Sequence, residues 1–555
     1  MGGSSTPPTR EGVDRRHLLG AAALGGLGAA LVACRSRPED APSAETAAPA
    51  FELEEASLAD LGQAMEEGRL SAERIASLYL ERIEATNRRG PTLRAVIETD
   101  PDALANARRL DEERRAGRVR GPLHGVPVLL KDNICTHDRT TTTAGSLALE
   151  GVVAPRDAYL VAKLREAGAV LLGKANLSEW ANFRSNNSSS GWSARGGQCR
   201  NPYALDRNPC GSSSGSGVAA SANLAAFAIG TETNGSIVCP ASATGIVGLK
   251  PTVGLVSRSG IVPIAHSQDT AGPMTRSVAD AAMVLAAIAG VDPEDPATSA
   301  AVSHLTADYT QHLRPGGARG TRVGVGREFL GFDSRVDELF ESALEALRDA
   351  GAELVDPAPI TTRREMSGPS FQVLLYEFKA DLDAFLASLG EASPVRSLAD
   401  VIAFNEAHRD REMPYFGQEL LLQAQEKGTL DEAEYQKALA DALRLSRADG
   451  IDATMDLHRL DAIVAPTGGP AWLIDLVNGD SFSGGSSSPA AIAGYPNITV
   501  PMGFVRSLPV GISFFGRAWS EPLLLRIAYA FEQATRHRRP PGLAASVDVE
   551  MGPPV

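Results

Sequence analysis

Only seven of the 555 residues are lysine, and one of them, Lys131, closes the apolar run Val126-Pro127-Val128-Leu129-Leu130. Such surroundings favour burial, and burial disfavours the ammonium form, drawing a lysine down from its ordinary pKa of about 10.4. A fall of about three pH units corresponds to about 4 kcal/mol of desolvation. Eighty residues on stands the turn-like stretch Gly211-Ser212-Ser213-Ser214-Gly215-Ser216-Gly217. An apolar segment follows it, then Thr231-Glu232-Thr233-Asn234-Gly235-Ser236 just ahead of Cys239-Pro240. A serine hydroxyl attacks a carbonyl only if a base takes its proton as it does so. A neutral lysine can draw that proton through a second serine, so convergence of Lys131 with the two serine turns would make a Ser-Ser-Lys hydrolase site. The tight turn Thr233-Asn234-Gly235-Ser236 adds successive backbone N–H groups able to cradle an oxyanion.

The elements that must position these groups are legible around them. The run 126–130, an amphipathic helix over Asp157–Ala167 stopped by Gly168, and the apolar strand Ala169–Leu172 suggest an α/β core with a mixed, mostly parallel sheet covered by helices on both faces. Two helices are expected within Leu58–Asn87, the second opening at Ser71 with Ile75, Leu78, Tyr79 and Ile83 on one face. Ser216–Gly230, rich in small residues, fits a helix buried in the middle of the domain. Residues 461–466, 497–501 and 509–514 look like further buried strands. Residues 335–460 turn charged and helical, a layer or cap on the same domain, which we place at 53–545 as a single large unit.

Ahead of that domain, residues 1–34 look like export machinery. Asp14-Arg15-Arg16-His17-Leu18-Leu19 resembles a twin-arginine signal. The uncharged run Leu18–Ala33 would make a helix of roughly 24 Å, short of a hydrocarbon core of about 30 Å. Leu31-Val32-Ala33-Cys34 resembles a lipobox, with lipid expected on Cys34, and residues 35–52 read as a flexible tether. The expected location is the periplasm or cell envelope, with the membrane met only through that anchor. Residues 1–34 carry three Arg and two acidic residues, so the remainder has a net charge of about −16, which argues against nucleic acid as a partner. Cys135, Cys199, Cys210 and Cys239 form no C-x-x-C pair, which argues against a zinc site, and no cofactor is expected. Small buried hydrophobes are the favoured role for these four, with a disulfide the alternative.

Longer motifs resemble the amidase signature hydrolases. They are Gly125-Val126-Pro127-Val128-Leu129-Leu130-Lys131-Asp132-Asn133, Gly173-Lys174-Ala175-Asn176-Leu177-Ser178-Glu179-Trp180, the serine stretch, Gly245-Ile246-Val247-Gly248-Leu249-Lys250-Pro251-Thr252 and Gln268-Asp269-Thr270-Ala271-Gly272-Pro273-Met274. The resemblance covers nearly all of residues 53–540. It implies Lys131 as base, Ser212, following a cis-like peptide, as relay, Ser236 as nucleophile, and the backbone of Thr233, Asn234, Gly235 and Ser236 as oxyanion hole. Within the family the chain is most similar to bacterial peptide amidases, through Thr231-Glu232-Thr233 and Gly469-Pro470-Ala471-Trp472 among others, which implies removal of a peptide's C-terminal amide as ammonia. Two positions depart from the family pattern: Cys210 replaces a common Gly, expected to be neutral, and Asn234 replaces Asp or Gly on the oxyanion rim.

Rival schemes fare worse. Gly211-Ser212-Ser213-Ser214-Gly215 also fits G-x-S-x-G with Ser213 as nucleophile and a histidine such as His266 or His458, but Asn201–Pro209 ahead of it is no strand. No lysine has a serine three residues before it, which removes a Ser-x-x-Lys scheme. A non-catalytic binding lipoprotein would have no use for the three site residues together. A transfer-RNA amidotransferase subunit would need a cytosolic, nucleic-acid setting at odds with the export signal and acidic charge. An amidase of another small or aryl amide is the nearest alternative function.

Overall fold

The computed structural model describes residues 51–547, together with Gly2. The expected signal segment, Cys34 and most of the tether lie outside them. Thirteen strands occur among the described residues: β1 (Val96–Thr99), β2 (Pro127–Lys131), β3 (Val170–Ala175), β4 (Trp192–Ser193), β5 (Gly197–Gln198), β6 (Phe227–Glu232), β7 (Val247–Lys250), β8 (Thr270–Thr275), β9 (Arg322–Val325), β10 (Glu353–Val355), β11 (Ala462–Pro466), β12 (Asn497–Val505) and β13 (Leu508–Phe515). All but β4 and β5 form one mixed sheet, ordered β1-β3-β2-β6-β8-β7-β12-β13-β11-β9-β10, with helices packed against it. Parallel pairing is gathered in two blocks, β3-β2-β6 and β11-β9-β10, while the pairings between and beyond them are antiparallel.

The β3-β2-β6 block holds the deepest part of the core. Every residue of these three strands is buried, as their largely apolar sequences require of strands covered on both faces, and the polar Lys131, Lys174, Thr231 and Glu232 are buried with them. The expected N-terminal helices occur at Leu58–Glu66 and Ala72–Arg82. The first starts with a reciprocal Ser57–Asp60 capping box, and the second is capped by Ser71, whose hydroxyl accepts from Arg74 N–H. The helix expected near 157–167 spans Tyr159–Glu166.

The buried segment after the serine turn differs from expectation. Its helix runs only Ser214–Ser221, and residues 227–230 belong to β6. Asn223 ends the helical course with φ 57°, and its side-chain amide is held by Glu55. Phe227 and Ile229 then pair with β2 and β8. The small residues serve close packing, for a Cβ at Gly215 would collide with the backbone of Ala95 and Asn176. Residues 335–460 are mostly helical, as expected, but include β10, and the helix Ser334–Asp349 packs onto the sheet beside β12 and β13.

Candidate active site

Three adjoining pieces of backbone make the site: the end of β2, the turn preceding the helix Ser214–Ser221, and the loop from β6 into the helix Val238–Ala243. Because β2 pairs directly with β6, Lys131 and Thr231 are brought side by side. Lys131 is wholly buried. Its Nζ donates to Thr231 Oγ1 at 2.8 Å and to the Thr231 carbonyl at 3.2 Å, and stands 2.8 Å from Ser212 Oγ. Asn133 Nδ2 donates to the same Thr231 hydroxyl at 3.0 Å. A neutral amine has two N–H bonds and one lone pair. With Thr231 accepting two N–H groups, a neutral amine in this position would turn its lone pair to the Ser212 hydroxyl. Burial lowers the Lys131 pKa to about 7, against the opposing charges of Asp269 and Glu232.

Ser212 follows a cis peptide bond from Gly211 and is also fully buried, its carbonyl accepting from Ser178 N–H at 3.0 Å. The two serine turns are joined directly, since Ser213 N–H donates to the Ser236 carbonyl at 3.1 Å. Ser213 itself is tied down: its hydroxyl donates to the Thr231 carbonyl at 2.9 Å and accepts from Thr231 N–H at 3.2 Å. No strand precedes it after β5, and His266 is held by Asp381 rather than by a serine, so the geometry disfavours the G-x-S-x-G scheme.

Ser236 lies where β6 gives way to the short helix. Glu232 shapes this turn by accepting from Ile237 N–H at 2.8 Å and Val238 N–H at 3.0 Å. The backbone N–H groups of Asn234, Gly235 and Ser236 meet no acceptor among the described residues, which leaves them available to an oxyanion. At the other end Thr233 Oγ1 donates to Asp269 at 2.5 Å. The unusual Asn234 is exposed and braced by Ser487 and Ser488.

Cys210 and Cys239 form a disulfide, with Cα atoms 6.0 Å apart, whereas Cys135 and Cys199 are free and buried. The favoured expectation of four buried thiols is therefore corrected for one pair, and Cys210 is not a neutral replacement for Gly. Backbone convergence of the two serine turns places these cysteines within bonding reach. Cys210 tolerates φ 59° there, a conformation that suits glycine.

Residues the sequence did not single out complete the site. Thr231, Asn133 and Asp269 lay inside the quoted motifs, but only strand pairing shows what they touch. Of the other motif lysines, Lys174 donates to the Ile134 carbonyl and Thr142 hydroxyl with Asp132 at 3.9 Å, and Lys250 donates to the Pro251 carbonyl, so neither faces a site serine.

Two cavities adjoin these groups. One, of about 380 Å³, is lined by Asn133, Thr231 and Thr233 together with Val262, Ile264 and Phe385. The other, of about 530 Å³, meets Gly211, Asn234 and Gly235 and is edged by Asn187, Trp472 and Asp480.

The Amidase family model matches residues 74–525. A probable amidase of Arabidopsis thaliana is 45% identical over 504 residues, covering 89% of this chain and 93% of its own. The crystal structure of native peptide amidase from Stenotrophomonas maltophilia is 55% identical with a TM-score of 0.85, covering 89% of this chain and 99% of that one. A peptide amidase, PAM, solved with the competitive inhibitor chymostatin is 56% identical with a TM-score of 0.86, covering 88% and 100%.

Proposed function

This chain belongs to the amidase family and hydrolyses amide carbon–nitrogen bonds, and we propose that it does so as an exported enzyme acting on the C-terminal carboxamide of peptides, with Ser236 as nucleophile, Ser212 as relay and Lys131 as base. The observation that carries the mechanism is the buried Lys131 amine, whose Nζ stands 2.8 Å from Thr231 Oγ1, 3.2 Å from the Thr231 carbonyl and 2.8 Å from Ser212 Oγ, so that a neutral amine donating to Thr231 would leave its lone pair for the Ser212 proton.

As Ser236 Oγ bonds to the amide carbon, its proton passes to Ser212 and the Ser212 proton to Lys131. The carbonyl electron pair moves to oxygen, where the N–H groups of residues 233–236 receive it. Collapse of this intermediate breaks the carbon–nitrogen bond while the proton returns through Ser212 to the departing nitrogen, releasing ammonia. Water then attacks the acyl-enzyme by the same route, giving the free carboxylate and restoring Ser236.

Two features support a peptide amide. Both solved peptide amidases match this chain over nearly their whole length. The larger cavity is lined with amides and hydroxyls such as Asn186, Asn187, Ser188 and Ser488, suited to a peptide backbone, and with Trp472 and Phe482. The residues just after Ser236 are Ile237, Val238 and Cys239, with no arginine to hold a substrate carboxylate.

The test is ammonia release from a dipeptide amide by wild type and Ser236→Ala. Activity confined to the wild type is expected, and an active Ser236→Ala enzyme refutes the assignment. Wild type inert on peptide amides but active on aryl amides would overturn the substrate alone. Export and lipidation at Cys34 are checked by mass spectrometry of the membrane fraction. A mature N-terminus other than a modified Cys34 overturns that part.

A further inference from the structure

Asp269 reaches both the oxyanion turn and the surroundings of the base without touching Lys131 in any hydrogen bond. Its Oδ1 accepts from Thr233 Oγ1 at 2.5 Å, and its Oδ2 accepts from Ile264 N–H at 2.8 Å and Ala265 N–H at 2.9 Å. Thr233 opens the turn that leads to Ser236, and Thr233 and Asp269 both line the cavity that also meets Asn133 and Thr231. Resting on the Ser-Ser-Lys scheme above, we propose that Asp269 is a positioning residue for amide hydrolysis: it fixes the Thr233 end of the oxyanion turn and supplies a buried counter-charge for Lys131 once that lysine holds the serine proton.

The chemistry calls for such a group. Each time a serine attacks, Lys131 becomes an ammonium ion at a fully buried position, and an isolated cation there is costly. Two carboxylates act on it by charge, Asp269 first and Glu232 second. Glu232 is fastened to the N–H groups of Ile237 and Val238. Three donors hold Asp269, so little reorganisation is needed as charge appears. Burial raises the Asp269 pKa to about 6, opposed by those same hydrogen bonds, with Asp381 nearby raising it further. Asp269 is therefore mostly ionised at pH 7 and above. The other charged groups lining that cavity are paired with one another, Arg258 with Asp295, His266 with Asp381 and Arg156 with Glu294.

Two variants separate the roles. Asp269→Asn is nearly isosteric but uncharged. Removing a negative charge from beside Lys131 lowers the lysine's proton affinity, so the acid limb of kcat/KM moves to lower pH, by about half a unit or more, while the plateau falls ten-fold or more. Thr233→Val keeps the charge and loses the hydrogen bond. Its plateau falls several-fold through kcat, with the acid limb unmoved. The measurement is kcat and KM against pH for both variants and wild type on one peptide amide. An Asp269→Asn enzyme with a lower plateau but an unshifted limb reduces the residue to a structural brace and overturns the counter-charge role. An Asp269→Asn enzyme with wild-type kcat overturns the proposal entirely. Should Asp269→Asn fail to fold, a Thr233→Val enzyme with wild-type kcat refutes the turn-fixing role. Failure of the Ser-Ser-Lys scheme would show separately, as activity in Ser236→Ala.

Discussion

Replacing Lys131 tests the proposed mechanism most sharply, because the same burial that would make it a base also makes it costly. Its pKa falls from 10.5 to about 7, chiefly by burial, a difference of about 5 kcal/mol against the ammonium form at about 1.4 kcal/mol per pH unit. If neutral Lys131 is the base, kcat/KM should level off above about pH 8 and fall about ten-fold per pH unit below about pH 6, leaving about 1% at pH 5. Lys131→Arg keeps the positive charge, yet a guanidinium holds its proton beyond pH 12, so less than about 1 in 10,000 molecules would offer a lone pair at pH 8. Its expected activity is at least about a thousand-fold down. Lys131→Met supplies the folding control and a second readout. A lysine whose pKa is lowered in the folded state contributes stability that is complete above about pH 10.5 and lost as pH falls toward about 7. Lys131→Met should therefore be inactive but more stable than wild type to urea at pH 7, the gain shrinking as pH rises toward 10. The reasoning is refuted by an arginine variant retaining a tenth of wild-type activity, or by a Met variant whose stability relative to wild type does not change between pH 7 and 10.

The neighbouring serines should part company: Ser212→Ala should lose most of its kcat, whereas Ser213→Ala, which loses two hydrogen bonds to Thr231, should keep most activity and lose stability, as steady-state assays and urea melts will show. Cys210→Ser should remove about 3 to 4 kcal/mol, from the chain entropy of a loop closed over a sequence separation of 29, and thiol reductant should lower wild-type activity without affecting that variant. Lys174→Ala leaves Asp132 buried beside a lost cation and should cost about 3 to 5 kcal/mol of stability. Its kcat per folded molecule should stay close to wild type.

The parts of the site that were legible in sequence are those set by residue type. Lys131 at the end of an apolar run, serines in glycine turns, and unbroken apolar strands each declare their environment, because burial and turn geometry leave few residues suitable. What stayed hidden depends on pairing between distant segments. Thr231 becomes the acceptor for Lys131 only because β2 and β6 are neighbours in register. The Cys210–Cys239 bond follows from two turns meeting, which spacing along the chain does not reveal. The helix expected across 216–230 shows a third limit. Small apolar residues suit a buried helix and a buried strand alike, and Asn223, which separates the two, carries its signal in one side chain.

Three of the seven lysines are fully buried, yet their surroundings differ. Lys131, Lys174 and Lys250 are all fully buried, and desolvation lowers the pKa of each. Desolvation alone therefore does not pick out a catalytic base. Lys174 spends its hydrogens on Ile134 and Thr142 with Asp132 close by, whose charge opposes that desolvation. Lys250 meets the Pro251 carbonyl and feels Glu232 and Glu521 by charge. Lys131 alone of the three has a serine hydroxyl within 2.8 Å, so under the proposed mechanism its lone pair would have a proton to take. The distinction lies in what stands opposite the nitrogen, and proton transfer follows from that contact more than from the depth at which the nitrogen is buried.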